Sequence, residues 1–131
     1  MSQRPIPTER ELEILKILWE EGAASVRRVY ERLRQRLPIV QNTVQAFLRT
    51  MEDKGLVRHR VDGRTFIYEP VFQRSETSEH MVSLLLHRVF DGAIDQLVAS
   101  LLSKEKPTAD ELARLESIIE KMKRDRRKTK H

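Results

Sequence analysis

Residues 41–70 read QNTVQAFLRTMEDKGLVRHRVDGRTFIYEP, and this stretch decides the fold. Its first half predicts a helix over residues 41–54, because four apolar side chains recur at the i, i+3, i+4 and i+7 spacing of one buried stripe. A glycine at position 55 then ends the helix. The four apolar residues are Val44, Phe47, Leu48 and Met51.

The second half of the stretch predicts a β-hairpin. Two β-prone runs flank the pair Asp62-Gly63, which is typical of a two-residue type I′ turn. With that pair as the turn, we expect two pairs of opposed residues, Val61 with Arg64 and His59 with Phe66. One face of the hairpin would hold Val57, His59, Val61, Phe66 and Tyr68, and the other Arg58, Arg60, Thr65 and Ile67.

Two further helices precede this stretch. Thr8 and Glu11 form a capping-box pattern, and the apolar residues that follow at helical spacing predict a helix over about 8–21. Ser25 is a good N-cap for a second helix with one apolar face. Three short helices followed by a hairpin are the order of a winged helix-turn-helix domain, which we assign to residues 1–70.

The remainder of the chain is predicted to be helical. Ser75 is predicted to cap a helix over about 75–90, and a shorter helix is predicted over 93–103. Thr108 begins the last helix with another capping box. The fold class is therefore mainly α with a small β-hairpin, a winged helix-turn-helix domain followed by a helical domain.

The three C-terminal helices predict a homodimer. Short amphipathic helices of this size make a poor independent core, so residues 71–123 are predicted to pack against a second copy of the chain. Residues 124–131 are predicted to be a basic, disordered tail. The residues predicted to form the dimer are Met81, Leu84, Leu85, Val89, Ile94, Leu97, Leu101, Leu112, Leu115, Ile118 and Ile119.

Composition excludes several classes of protein. The chain has no cysteine, which excludes a disulfide framework and a thiolate metal site. It has no signal-peptide pattern and no apolar run near the roughly 20 residues of a membrane span, so we expect a cytoplasmic protein without membrane insertion. It also lacks a Gly-rich phosphate loop, an HExxH motif and a recognisable catalytic triad, so we expect neither an enzyme nor a cofactor. His80 and His87 lie seven residues apart on one predicted helix, and Asp91 follows four residues after His87. Surface or packing roles are a better interpretation of these residues than a metal site.

The net charge of +5 is unevenly distributed. Residues 121–131 contain seven Lys or Arg and one Asp, and this end of the chain either adds salt-dependent affinity for a polyanion or only solubilises the terminus. The rest of the chain is close to charge balance. A local cluster is the more useful clue, although a solvated helix face is an equally good interpretation of it alone. The cluster consists of Arg27, Arg28, Arg32, Arg34 and Arg36.

The polar residues of the helix over 41–54 suit recognition of DNA bases. Asn and Gln pair with adenine and Arg pairs with guanine in the major groove, so we predict base contacts by Asn42, Gln45 and Arg49, with Ala46 on the same outward face. Gln41 and Thr43 are predicted to bind phosphate at the helix N-terminus. The alternative is that these side chains only cap and solvate the helix.

Basic residues outside that helix are candidates for contacts with the DNA backbone. Arg64 lies at the hairpin tip, and Arg58 and Arg60 lie on the outer face of the hairpin. Charged protection of an exposed strand edge is an equally good explanation for these three. Arg27 and Arg28, at the start of the second helix, are further candidates.

The sequence resembles the penicillinase repressor (BlaI/MecI/CopY) family of bacterial winged-helix regulators over about residues 6–123. The resemblance is carried by PTERELEILKILWEEG, SVRRVYERL, NTVQAFLRTMEDKGLVRHRVDGRTFIYEPV and the Leu-rich helices after Ser75. It implies a homodimeric repressor whose winged helix binds an inverted-repeat operator. The family's T-T-V motif reads Asn42-Thr43-Val44 here, and Ala46 stands where the family has a hydroxyl, which implies a different operator sequence.

The resemblance also implies ways of inducing the repressor. In the penicillinase branch, a membrane sensor protease cuts an Asn-Phe bond, which aligns with Ser100-Leu101 here. The copper-responsive branch uses a C-terminal Cys motif, and the absence of cysteine here excludes copper sensing by thiolates. Two other functions remain open from the residues alone, a winged-helix adaptor that docks a protein and a regulator of the MarR kind gated by a small ligand.

Overall fold

The computed structural model describes residues 4–129, which form six helices and three strands. The chain divides between Leu84 and Leu85 into two compact units. The elements of the first unit are α1 (Glu9–Glu21), β1 (Ala24–Ser25), α2 (Val26–Leu33), α3 (Gln41–Lys54), β2 (Val57–Asp62) and β3 (Thr65–Pro70). Helix α4 (Arg74–Val89) begins in the first unit and ends in the second, which also contains α5 (Ile94–Lys104) and α6 (Ala109–Thr129). The domain boundary predicted after residue 70 stays a prediction. None of the described helices is both long enough and apolar enough to cross a bilayer.

The predicted helix starts in the first unit are confirmed by their caps. Thr8 caps α1 in a capping box, in which its backbone N–H donates to Glu11 Oε1 at 2.8 Å and its hydroxyl accepts from the Glu11 N–H. The Ser25 hydroxyl accepts from the Arg28 N–H and caps α2. Helix α3 has the predicted bounds, and Gly55 follows it in the left-handed conformation.

The hairpin is present, but its predicted register is wrong. Asp62 lies opposite Thr65, so the loop consists of Gly63 and Arg64, and of these two only Gly63 has a positive φ, the pattern of a type II′ turn. Two opposed pairs follow from this turn, Val61 with Phe66 and His59 with Tyr68. The pairing is shifted by two residues, which is one full side-chain period, so the predicted faces are correct.

A short third strand that the sequence did not predict completes the sheet. Strand β1 pairs antiparallel with β3, which gives the order β1-β3-β2. Ala24 lies opposite Tyr68, and Ser25 lies opposite Ile67. The start of α2 is therefore fixed to the wing by main-chain pairing.

The core of the first unit lies where the three helices meet the sheet. Three of the four predicted α3 residues are fully buried, and Phe47 packs against the core from its edge. Because the buried residues of α3 lie on one face of the helix, its polar residues lie toward solvent. The buried hydrophobic residues are Ile14, Leu15, Ile17, Leu18, Ala24, Val29, Leu33, Val44, Leu48, Met51, Leu56, Val57 and Tyr68.

Trp19 packs partly buried against this core and holds the start of α4. Its indole N–H donates to the Phe72 carbonyl at 2.9 Å, and the Arg74 guanidinium lies over its ring. Ser75 is not the N-cap of α4, because the helix already begins at Arg74. The Glu76 carboxylate instead accepts from the backbone N–H of Gln73, which lies just before the helix.

Over its described residues, 85–129, the second unit is helical and buries no apolar residue completely. Asp91 and Gly92, both with positive φ, end the turn after α4, and the predicted capping box at Thr108 begins α6. The prediction of a disordered tail is wrong for residues 124–129, which continue α6. Lys and Arg favour helix, and near a helix C-terminus their charges complement the helix dipole. Residues 130–131 lie outside the described residues.

An ion pair between the buried Glu11 and the partly exposed Lys54 joins the start of α1 to the end of α3. The Glu11 side chain is 2% exposed, and Lys54, the last residue of α3, donates to both of its oxygens at 3.0 and 2.9 Å. Burial alone would raise the pKa of the Glu11 carboxyl, but hydrogen bonds from Thr8 and Lys54 outweigh burial and hold the pKa below its ordinary value of 4.5. The carboxylate therefore stabilises the fold in its charged form.

Two results are expected from this pair. Because the folded pKa of Glu11 is depressed, its stabilisation of the fold is present above about pH 4.5 and is lost as pH falls through the folded pKa. The Glu11→Gln variant should not show this part of the pH dependence of the free energy of unfolding.

Lys54→Ala should lower the free energy of unfolding at pH 7 by roughly 1–3 kcal/mol, since it leaves a buried carboxylate without its cation. Urea unfolding at several pH values measures both.

A surface lysine provides the control for this prediction. Lys16→Ala removes an exposed pair with Glu13 at 3.7 Å, and it should cost less than about 1 kcal/mol. Equal effects of the two lysine substitutions would contradict a special role for the buried pair.

Candidate nucleic-acid interface

Helix α3 presents a polar face because its apolar residues are used by the core. Asn42, Thr43, Ala46 and Arg49 are exposed, and Gln45 is half-buried beside them. These positions lie off the buried stripe, so their side chains are available to a partner rather than to the core. The outward face predicted from the sequence is thus present.

The N-terminus of α3 has no side-chain cap. Val40 occupies the N-cap position and cannot accept a hydrogen bond from the first-turn amides. The Thr43 N–H bonds the Val40 carbonyl at 3.1 Å, which leaves the amides of Gln41 and Asn42 at the open end. An open helix end with a positive dipole favours an anion such as phosphate.

A cleft joins α3 to the wing and to the start of α2. Gln41, Gln45 and Arg49 line one wall at successive helical turns, and Arg64 lies across from them at the hairpin tip. The structure therefore brings together five of the predicted residues when Arg27 is included. The other lining residues are Ser25, Val26, Thr65, Phe66 and Tyr68.

Sequence reasoning predicted Arg64 but missed the other wing residues of this cleft, which are Thr65, Phe66 and Tyr68. Phe66 is 46% exposed although it is a large aromatic residue, whereas its neighbour Tyr68 is 2% exposed. Burial raises the pKa of the Tyr68 hydroxyl, the nearby Glu52 carboxylate raises it further, and Arg49 opposes both. The β-prone residues at these positions signalled a strand, but only the register shows that they lie beside α3.

The arginine cluster of α2 is largely held by α1. Arg28 donates to Glu21 at 3.3 and 3.1 Å, Arg32 reaches Glu20 and Glu21, and Arg36 pairs with Glu13. Hydrogen bonding from Arg28 is the main reason why the pKa of the exposed Glu21 carboxyl is lowered. These ion pairs explain the cluster through helix packing, which leaves less of its charge for a nucleic acid.

The predicted basic residues differ in whether a carboxylate already pairs with them. Arg27 pairs with Glu31 on α2 at 2.9 Å, and Arg58 pairs with Glu69 across the hairpin at 2.8 Å. Within residues 4–129, no carboxylate lies within 4 Å of Arg49, Arg60 or Arg64. These three are the site arginines whose charge is not already balanced by a neighbour.

The other candidate residues lie in the second unit or near it. Ser100 and Leu101 lie inside α5, and both are exposed. His80 and His87 belong to α4, and the part of the chain between Arg4 and Thr129 contains no group of three side chains placed to hold a metal ion.

Many of the residues predicted for the dimer are apolar and exposed. Leu101, Leu115 and Ile118 line a groove between α5 and α6 that also includes Leu102 and Pro107. The charged residues Glu105, Lys106, Glu111 and Arg114 also line the groove. Exposed apolar residues with a polar rim are typical of a protein interface. The most exposed predicted residues are Leu85, Val89, Ile94, Leu101, Leu112, Ile118 and Ile119.

Comparison with known proteins places the chain in a family. The family model described as Penicillinase repressor matches residues 7–121. The chain is 26% identical over 123 residues to the penicillinase repressor of Bacillus licheniformis, across 94% of this chain and 96% of that protein. It is also similar to solved structures of the repressor BlaI and of other proteins.

The structural matches agree with the sequence match. The DNA-binding domain of BlaI is 28% identical, with a TM-score of 0.51 over 58% of this chain and 93% of that one. Monomeric Bacillus licheniformis BlaI in complex with the blaP half-operator gives 28% identity and a TM-score of 0.50 over the same shares, 58% and 93%. YusO of Bacillus subtilis, at 19% identity and a TM-score of 0.51 over 90% of this chain and 75% of that one, shares the fold. Because the family model spans most of the sequence and the winged-helix domain is present, this chain belongs to the penicillinase repressor family.

Proposed function

We propose that this chain is a homodimeric transcriptional repressor that binds an inverted-repeat DNA operator through α3. The observation that carries the proposal is the exposed polar face of α3 beside a wing with unbalanced arginines. A helix of this kind fits the major groove, where its side chains reach base edges. The similar BlaI structure is a complex with the blaP half-operator, which supports binding of operator DNA by this chain.

The α3 residues divide between bases and phosphates in this proposal. Asn42, Gln45 and Arg49 read bases, and Ala46 contributes an apolar contact on the same face. Gln41 and Thr43 lie at the open N-terminus and contact phosphate, where the free amides assist. The operator differs from that of relatives with a Thr at position 42 or a hydroxyl at position 46.

The basic residues around α3 position the protein on the DNA backbone. Arg60 and Arg64 are the main wing contacts, because they are not engaged by carboxylates within the described residues. Arg27 requires release from a surface pair with Glu31, which costs little. Arg28 and Arg58 contribute less, because ion pairs with other elements already hold them.

The second copy of the chain covers apolar residues of α4, α5 and α6. A C2 dimer pairs the same surface of both subunits, and an inverted repeat has the matching two-fold symmetry. The proposed interface residues are Met81, Leu84, Leu85, Val89, Ile94, Leu97, Leu101, Leu112, Leu115, Ile118 and Ile119.

The proposed repressor acts in the bacterial cytoplasm and catalyses no reaction. Its third proposed partner, after operator DNA and a second copy of the chain, is a membrane sensor protease that cuts near Ser100-Leu101. Both residues lie in α5, so cleavage requires local opening of that helix. A cut there would separate α6 and its interface residues from the DNA-binding unit, which would release the operator.

Selection of bound sequences from random DNA tests the proposed function. We expect an inverted repeat with half-sites about one helical turn apart, bound with nanomolar affinity at physiological salt. Weak binding that is independent of sequence would contradict the proposal. Sequence preference for a single half-site would contradict the dimer but not the role of α3.

A further inference from the structure

A carboxylate on α3 clamps the first strand of the wing. Glu52 lies near the C-terminal end of α3, and one of its oxygens accepts the His59 backbone N–H at 3.2 Å. The same carboxylate lies 2.7 and 2.8 Å from the Nδ1 atom of His59. Because a carboxylate accepts hydrogen bonds, Nδ1 carries the proton, and both polar groups of His59 are held by one side chain.

The His59 ring is held on its other side by the second wing strand. It stacks on Phe66 with ring centres 4.2 Å apart and an angle of 14° between the planes. Its cross-strand neighbour Tyr68 is buried, with ring centres 5.6 Å apart. Glu52, His59 and Phe66 therefore form a continuous link from α3 through β2 to β3.

This link lies close to both wing arginines in the sequence. Arg60 follows His59 directly in β2, and Arg64 lies two residues before Phe66. We propose that Glu52 is a positioning residue for DNA binding, which sets the distance between the base-reading face of α3 and the wing arginines by clamping His59. The inference rests on the proposed function and adds a residue that does not contact DNA itself.

The direction of the change in DNA affinity distinguishes a positioning residue from an acid that only repels phosphate. A carboxylate near DNA repels phosphate, so removal of an ordinary surface acid should raise affinity or leave it unchanged. Removal of a positioning acid should lower affinity, because the wing arginines lose their alignment with the backbone. The two interpretations therefore predict opposite results for the same substitution.

The neighbouring Asp53 provides a matched control. It is exposed on the same helix end, and no cation lies within 4 Å of its carboxylate in the described part of the chain. Glu52→Ala should weaken binding of the full-length dimer to the selected operator roughly three- to tenfold and reduce the salt slope by about one per lost phosphate contact. Asp53→Ala removes the same charge and should leave affinity equal or higher.

The wing arginines test whether Glu52 acts through them. In a background of Arg60→Ala with Arg64→Ala, the Glu52→Ala substitution should lower affinity no further, because there is no wing contact left to misalign. Glu52→Gln keeps one acceptor oxygen for His59 and should recover part of the affinity. Thermal unfolding followed by fluorescence of the sole tryptophan, Trp19, identifies any variant that fails to fold.

Each outcome decides the inference. A rise in affinity on Glu52→Ala equal to that on Asp53→Ala would overturn it, as would an undiminished loss in the background without wing arginines. If Glu52→Ala does not fold, Glu52→Gln must still bind more weakly than the Asp53→Ala control. A parent chain with no sequence preference would overturn the proposed function itself, and this inference with it.

Discussion

Replacement of both Asn42 and Arg49 by alanine is expected to abolish operator preference while the protein stays folded and dimeric. Both side chains are exposed on α3, so their removal opens no cavity in the core. Each good base contact contributes roughly 1–3 kcal/mol of discrimination, and the double change should therefore cost roughly 2–6 kcal/mol. Competition between the selected operator and random DNA measures this loss directly.

The result is informative only beside a variant with the same change in charge. Arg10→Ala with Gln35→Ala removes one Arg and one amide side chain from exposed positions outside α3 and the wing. Its general affinity should fall slightly through the lost charge, whereas its operator preference should be unchanged. If preference survives in the α3 variant, the polar residues of α3 are only solvated surface.

The helical framework could be predicted because each helix carries its own local signals. The i, i+3, i+4 spacing in α3 identifies both the buried stripe and the outward face, and Gly55 marks the end. Thr8 and Ser25 cap their helices through bonds that span only three residues. Signals of this range are fully contained in the sequence, so α3 was predicted with the correct bounds, and α1 and α2 were predicted with the correct N-caps.

Features that depend on distant partners could not be predicted in the same way. Strand β1 has two residues, which is too short for an alternating pattern, and it exists only because β3 is there to pair with it. The hairpin register depended on whether Asp62 or Gly63 begins the turn, and both choices place the same residues on each face. Sequence reasoning therefore gave correct faces with an incorrect register.

The candidate site likewise contains features that local sequence signals predict and features that depend on tertiary contacts. The outward residues of α3 follow from periodicity, but the cleft between α3 and the wing exists only after the hairpin has packed. The charge of α2 suggested a nucleic-acid patch, and its partners, such as Glu21 for Arg28, lie on α1. Count and position of the arginines could not distinguish ion pairing from a free patch, since the distinction depends on tertiary contacts.

Placement of a charge in the apolar surface of α6 is expected to convert the dimer to monomers. Ile118 is 56% exposed in the single chain, so Ile118→Asp should disturb the monomer little. In the proposed dimer the same carboxylate would be buried without a partner, which is strongly unfavourable. Sedimentation at micromolar concentration should show a monomer with an unchanged helical signal by circular dichroism.

The neighbouring residue supplies the control, and DNA binding supplies the second readout. Ser117→Asp adds the same charge one position away on a polar residue, and it should remain dimeric. A dimer binds its second half-site at a high effective concentration, so Ile118→Asp should lose roughly 10²–10⁴-fold in affinity for the full operator and little for a half-site. If the two variants dimerise equally, this face of α6 is excluded from the interface. A carboxylate at position 118 would be buried without a partner in the proposed dimer and would have to weaken it.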